Sequence, residues 1–401
     1  MKRRLDYYIR IKHGFAFESQ YFAERGKYIL LTPGNFYESG GFRKNIKKIK
    51  YYTGSIPEDY ILHKDDLLVV MTEQAPGLLG APALIPRDGC FLHNQRLGLI
   101  EFKKEKELSR AYLFHLFNLP SIRQEISKTA GGTKVRHTSP AKIAALEAFV
   151  PSPDAQERIA HQLSAWDSAI EKTGGLIEMK EREYSYLVSR LISIPSTRWH
   201  TYSLVQICEP VTRKNTVSET NVLTSSAEFG LISQLEYYNK SVSADDVSGY
   251  YLLKKGEFAY NRSSSKGHPY GTIKRLEKYD QGVLSTLYIC FKQVEIEKCN
   301  STFLAHYFDS GVLNQQLAEI CQEGARNHGL LNISRTDFFS LSISLPEIET
   351  QGRIADILNT ARKEIINLRQ LNKFYLQQKS FLMSKLLTGE WEAPGSGAEA
   401  P

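Results

Sequence analysis

The side chains of this sequence that could do chemistry are suited to reading base edges rather than to breaking bonds. Asn94-Gln95-Arg96 sets two amides beside a guanidinium. Asn and Gln can pair with adenine, and Arg with guanine. The loop Gly131-Gly132-Thr133-Lys134-Val135-Arg136-His137 combines a backbone able to approach a phosphate closely with cationic and titratable groups. By position its counterpart is Glu323–Gly329, which carries Arg326, Asn327 and His328. A third polar loop runs Asn261-Arg262-Ser263-Ser264-Ser265-Lys266-Gly267-His268, and Met71–Gly77, with Gln74, stands at the matching place in the first half. The rival for each loop is an ordinary exposed turn, and for Asn94–Arg96 a buried, hydrogen-bonded one. Arg43, Lys44, Lys47, Lys48 and Lys50, followed by Tyr51-Tyr52, read as a phosphate-contacting run, although charge runs are usually solvated faces.

Catalytic chemistry finds no matching constellation. The sequence has no G-x-x-x-x-G-K-[ST] phosphate loop, no Asn/Asp-Pro-Pro-Tyr/Phe run, no glycine-rich cofactor fingerprint after a strand, and no His/Cys cluster at metal spacing. His13, His93 and His115 read as structural. No catalytic residue and no metal site is therefore expected.

What must position these loops is a repeat. Residues Gln156–Ile192 read QERIAHQLSAWDSAIEKTGGLIEMKEREYSYLVSRLI, and Gln351–Leu387 read QGRIADILNTARKEIINLRQLNKFYLQQKSFLMSKLL. A shift of 195 lays Gln156-x-Arg158-Ile159-Ala160 on Gln351-x-Arg353-Ile354-Ala355, Leu187 on Leu382 and Leu191 on Leu386. Steps of four and three pick out a heptad seam. In the first copy it runs Ile159, Leu163, Trp166, Ile170, Thr173, Ile177, Lys180, Tyr184, Leu187, Leu191; in the second, Ile354, Leu358, Ala361, Ile365, Leu368, Asn372, Tyr375, Lys379, Leu382, Leu386. Such a stripe must be buried, either in a zipper between two chains or, more simply for two matched helices, by antiparallel pairing within one. Gly174-Gly175 weakens the first helix midway. A helix of about 35 residues spans ~52 Å, more than the ~34 Å turn of B-DNA.

Outside the helices the likeness is weaker. Tyr60–Met71 matches Tyr250–Asn261 at a shift of 190, and Ala111–Lys128 resembles Thr302–Cys321. Short β-like stretches alternate with Gly/Pro turns through residues 1–150. Charge is uneven. Residues 1–153 hold 24 Lys+Arg against 15 Asp+Glu, a balance of +9, whereas residues 195–345 balance at 15 against 15. A polyanion would be drawn mainly to the first half. The five cysteines are odd in number and form no CxxC pair, no apolar run spans a bilayer, and the N-terminus lacks a signal-peptide core. These features point to reduced thiols in a cytoplasmic chain.

A variable domain, then a proline-containing entry, Q-x-R-I-A and a heptad helix ending L-x-x-x-L-[LI], then all of it again, resembles the DNA-specificity (S) subunit of type I restriction–modification systems. The segments His13–Phe22, Thr32–Phe36, Asp66–Thr72 and His93–Gly98 are similar to parts of the recognition domain in that family. The lead-in around Trp199 has no clear counterpart at the N-terminus. The resemblance implies an α+β chain of two globular α/β target-recognition domains, separated by two long antiparallel coiled-coil helices in a pseudo-two-fold repeat. The expected division is 1–150 and 195–345 for the recognition domains, 151–194 and 346–390 for the spacer helices, and 391–401 for a disordered tail. It also implies that each domain reads half of a split duplex target while the helices dock two modification (methyltransferase) subunits. Restriction subunits can then join, and S-adenosylmethionine and ATP belong to those partners. The alternative is a coiled-coil adaptor whose globular domains bind protein.

Overall fold

In this computed structural model the chain is described over residues 2–43, 49–74, 76–193, 199–226, 229–239, 246–265, 267–321 and 329–393. Four helices organise it: α1 (Arg110–Asn118), α2 (Pro153–Leu191), α3 (Ser301–Asp309) and α4 (Ile348–Leu386). The chain divides into two compact units, one of residues 1–174 with 370–401 and the other of residues 175–369. The long helices are thus not separate bodies, since each unit combines a globular domain with part of α2 and part of α4. No helix among the described residues is long and apolar enough to cross a membrane.

In the first unit a four-stranded antiparallel sheet runs in the order Ile9–His13, Leu97–Phe102, Leu67–Val70, Pro82–Leu84. The unit's largest core forms between that sheet, α1 and the long helices. Ile159, Ala160 and Leu163 of α2 and Met383, Leu386 and Leu387 of α4 are all buried in it. The Trp166 and Tyr375 rings meet edge to face at 5.5 Å, and Asp167 pairs with Lys379. Rising numbers on α2 meet falling numbers on α4, so the segments are antiparallel.

The second unit repeats the design. Its sheet order is Cys208–Pro210, Ile289–Gln293, Phe258–Asn261, Thr272–Arg275, again antiparallel. Tyr184, Leu187 and Leu191 of α2 pack on a core that contains Ile354, Ala355 and Leu358 of α4. Lys180 pairs with Glu364 at 3.1 Å and Arg369 with Glu181 at 2.6 Å. None of the seam positions on either helix is exposed, and α2 continues unbroken through Gly174-Gly175.

Three sequence expectations need correcting. The strand repeat is offset by 191, not 190: Asp65 N–H bonds the Ile85 carbonyl just as Gly256 N–H bonds that of Leu276. A one-residue slip turns each strand side chain to the opposite face, so the hydrogen bonds, not the letter match, fix the register. The lead-in does have an N-terminal counterpart. Lys2–Arg4 pairs with Glu147–Phe149 as His200–Ser203 pairs with Ser342–Leu345. Backbone groups make this ladder, so the two copies need no common side chains. Trp391, placed by sequence in a disordered tail, lies edge to face with Phe381 at 5.3 Å; residues 394–401 lie outside the described ones.

The motif glutamine explains its own recurrence. Gln156 is fully buried; its Oε1 accepts the Ser109 N–H at 2.8 Å, and its Nε2 donates to the Glu107 and Pro151 carbonyls at 2.8 and 2.9 Å. Gln351 makes the same three bonds, from Asn300 and to Lys298 and Pro346, at 2.8, 2.9 and 2.7 Å. One amide thereby ties the entry of each long helix to the start of α1 or α3. Gln156→Ala should leave three part-buried backbone groups without their partner, at about 1 kcal/mol each. Its thermal unfolding midpoint should fall by several degrees, and an unchanged midpoint would count against the anchor.

Candidate nucleic-acid interface

The buried strand Leu67–Val70 carries the first unit's chain out through Met71 to Thr72–Glu73, which pairs with Arg136–His137. The Thr138 N–H closes this ladder on the Met71 carbonyl at 3.0 Å. Gly131 and His137 exchange both backbone hydrogen bonds at 3.0 Å, making residues 131–137 a small hairpin. Its turn requires Gly132, whose φ is +102° and whose site has the Val135 carbonyl oxygen 2.1 Å from where a Cβ would stand. Thr133, Lys134 and His137 are exposed on this loop.

Beneath it lies a buried carboxylate that the sequence did not single out. Glu73 is 3% exposed; its Oε2 accepts the N–H groups of Gly77, Leu78 and Leu79 at 3.0, 2.9 and 3.0 Å. Its Oε1 pairs with Arg136 at 3.0 Å, and the same guanidinium donates to the Ser127 carbonyl at 2.7 Å. Arg123 donates to the carbonyls of Leu79 at 2.6 Å, Glu38 at 3.0 Å and Gly77. The segment following Glu73 is thus gripped through its backbone, with Gln74 exposed at its head. Assigned by sequence to DNA, Arg136 is instead committed to Glu73 and Ser127. It builds the loop.

The triplet Asn94-Gln95-Arg96 divides. Asn94 is 3% exposed, and its Oδ1 accepts the Arg96 N–H at 3.1 Å. It is a turn former, because a short amide beside its own backbone closes an Asx-type turn. Gln95 is half-buried and Arg96 is exposed. Neighbouring His93 is fully buried with Nε2 2.9 Å from the Leu97 carbonyl oxygen, and burial pushes its pKa down to about 4, so the ring is neutral.

The second unit shares the strand-to-loop exit. The strand Phe258–Asn261 leads into residues 262–265, which are stitched to the segment following the second glycine loop. Leu331 N–H bonds the Arg262 carbonyl and Ser264 N–H bonds the Gly329 carbonyl, both at 2.7 Å. Ser265 and His268 form a tight turn. Asn261 is half-buried, with its Oδ1 on the Ser263 N–H at 3.1 Å; Ser263 is exposed and His268 half-buried. Arg262, another sequence candidate, spends its guanidinium on the Leu287 and Ile333 carbonyls at 2.8 and 3.0 Å. Lys266, Arg326, Asn327 and His328, like Lys44, Lys47 and Lys48, lie outside the described residues. Among the described residues no group of three or more His, Cys, Asp or Glu could hold a metal ion.

The first unit therefore presents polar side chains on paired loops held from below, and the second presents Ser263 and His268 on a segment bonded to residues 329–331. Fixed donors and acceptors on a preformed surface suit recognition of a duplex, where phosphate contacts position and base contacts specify.

A family model described as the type I restriction modification DNA specificity domain matches residues 2–180 and again 197–374. Among solved structures, the S subunit of a type I restriction-modification system from M. genitalium aligns with a TM-score of 0.60 at 14% identity, covering 96% of both chains. A structure described as the basis of complex assembly and conformational transition of the type I R-M system aligns with a TM-score of 0.53 at 13% identity, covering 98% of both. At these identities the structural likeness shows the fold alone. A search of curated proteins returned no significant match.

The clamp makes a direct prediction. Glu73→Gln removes the charge that holds Arg136, at a cost of about 1.5–3 kcal/mol for weakening charge-assisted hydrogen bonds. Hydrogen exchange at the Gly77–Leu79 amides should accelerate at least tenfold while the amides of Leu67–Val70 stay protected. Equal protection in the variant and the parent would show that the carboxylate does not organise this loop.

Proposed function

This chain belongs to the type I restriction modification DNA specificity family, which it matches twice over most of its length, and from that premise we propose a division of labour within it. The chain is the specificity subunit of a type I restriction–modification system. Each globular domain reads one half of a bipartite duplex, and α2 and α4 set the spacing and dock two copies of a modification subunit. The chain itself is non-catalytic. S-adenosylmethionine and ATP are held by its partners, and restriction subunits join the assembly through them. Two matches to a DNA-specificity domain do not favour the protein-binding adaptor.

The observation that carries this reading is that the surfaces, and not only the cores, are duplicated. A polar segment follows the equivalent inner strand in each unit, at residues 72–74 and 262–265. An exposed apolar stripe also recurs on the long helices, beside the seam: Leu371, Phe374 and Phe381 on α4, and Leu176, Met179 and Tyr186 on α2. The two sets are related by the same shift of 195 as the helices themselves. Exposed apolar surface at regular helical spacing marks a docking site. Two equivalent stripes, one in each unit, fit two copies of one partner.

DNA binding by the assembled complex should weaken roughly a hundredfold or more between about 50 and 200 mM salt. Lys134→Ala with His137→Ala should relax base preference in one half-site alone, and Ser263→Ala with His268→Ala in the other; competition binding with singly altered duplexes reads this. Equal relaxation of both halves would contradict two independent readers. Docking is tested separately by mass measurement of the complex. Phe374→Asp with Phe381→Asp should leave it one modification subunit short, and adding Met179→Asp with Tyr186→Asp should remove the second. Full assembly of the four-fold variant would place docking elsewhere.

A further inference from the structure

Two buried histidines take no part in this reading, yet they occupy equivalent places. His115 on α1 and His306 on α3 are each 1% exposed and stand 191 residues apart, the offset between those two helices. In the second unit, His306 Nε2 lies 2.9 Å from Asn359 Oδ1 on α4, and its Nδ1 lies 3.0 Å from the Tyr184 hydroxyl on α2. In the first unit, His115 Nε2 lies 3.1 Å from Ser164 Oγ on α2. Its Nδ1 is 3.8 Å from Asp167, whose other oxygen takes Lys379 of α4.

The helix partners obey the helical repeat. Asn359 is Ser164 shifted by 195, and Lys379 is Tyr184 shifted by the same amount. Chemical identity changes at both of these positions. In both units, then, one imidazole between the domain and its helices meets the helix that follows the domain at hydrogen-bond distance, and in the second unit it also meets the other long helix. Both rings are neutral: burial lowers their pKa values, to about 4 for His115. A neutral ring donates through one nitrogen and accepts through the other, so its bonds are directional.

Direction matters because the glutamine anchor fixes only one point. Gln156 holds the start of α1 at Ser109, and Gln351 holds the start of α3 at Asn300. A single point leaves rotation about it open, and apolar packing resists such rotation without specifying an angle. His115 and His306 lie six residues further along, about 9 Å at helical rise. A second directional attachment at that distance fixes the angle.

We propose that His115 and His306 are positioning residues that set the angle at which each recognition domain is carried on its helix pair, and thereby the gap between half-sites that the subunit accepts. The inference rests on the bipartite reading above. It assigns gap discrimination to side chains that touch no DNA.

The test uses the full complex with modification subunits and duplexes carrying its target, defined beforehand by mapping methylated positions in genomic DNA. Affinity is compared for the natural gap, gaps one base pair longer or shorter, and single-base changes within a half-site. His306→Leu and His115→Leu should lose about tenfold in discrimination between gaps while discrimination between bases stays within about twofold. His306→Gln, which retains a donor and an acceptor, should recover most of the loss. Tyr184→Phe removes one hydroxyl only, and carries the test if a leucine variant fails to fold. Unchanged gap discrimination in Tyr184→Phe and in the folded leucine variants overturns the proposal, as does a parallel loss of base and gap discrimination. A parent complex indifferent to both bases and gaps would instead overturn the bipartite reading itself.

Discussion

A buried primary amide at the mouth of each long helix is the constraint on which the rest of the molecule depends. A helix that leaves a globular domain has unpaired N–H groups at its start, and the loop it leaves has carbonyls turned inward. Gln156 and Gln351 satisfy two such carbonyls and one N–H apiece with a single side chain. Burying a polar group is costly unless its hydrogen bonds are completed. The amide therefore pins one point of each long helix to its domain. Its short donor–acceptor reach also explains why the same glutamine heads both copies although the loops it bonds differ in sequence.

From that fixed junction the consequences run outward in two directions. Along the helices, the heptad seam continues the core of each unit into an antiparallel pair. Into the domain, α1 and α3 lie over sheets of one topology, and the central strand of each sheet ends at the polar loops. These loops are not shaped by their own exposed residues. In the first unit the shape comes from a buried carboxylate and two guanidinium groups gripping backbone, and in the second Arg262 bonds two carbonyls from neighbouring segments. The exposed side chains can then be replaced without loss of the loop backbones beneath them.

This separation also explains what could and could not be read from the sequence. The helices were legible because burial along a seam imposes a period that survives divergence, as Trp166 facing Tyr375 and Lys379 facing Asp167 illustrate. The correspondence of Met71–Gly77 with Asn261–His268 was also legible, from position alone. The role of each arginine was not. Arg136, Arg262 and Arg96 have the same chemistry on paper, and only the first two have inward partners, contributed by residues up to 71 positions away. Asn94 looked like a reader because its amide is shared by readers and turn formers. Glu73 gave no signal, because a lone acidic residue in a polar loop is ordinarily solvated.

The composition of the first unit has a consequence for how the protein is made. Its core includes Met383, Leu386 and Leu387, so the domain that leaves the ribosome first is completed by side chains that leave last. The second unit draws on one continuous stretch, residues 175–369, and can close as it emerges. At about 5–20 residues per second, the first domain waits on the order of tens of seconds with an apolar flank uncovered. During that interval it is a client for chaperones and for neighbouring nascent chains. A stop codon ahead of Met383 would leave that earlier-made core incomplete.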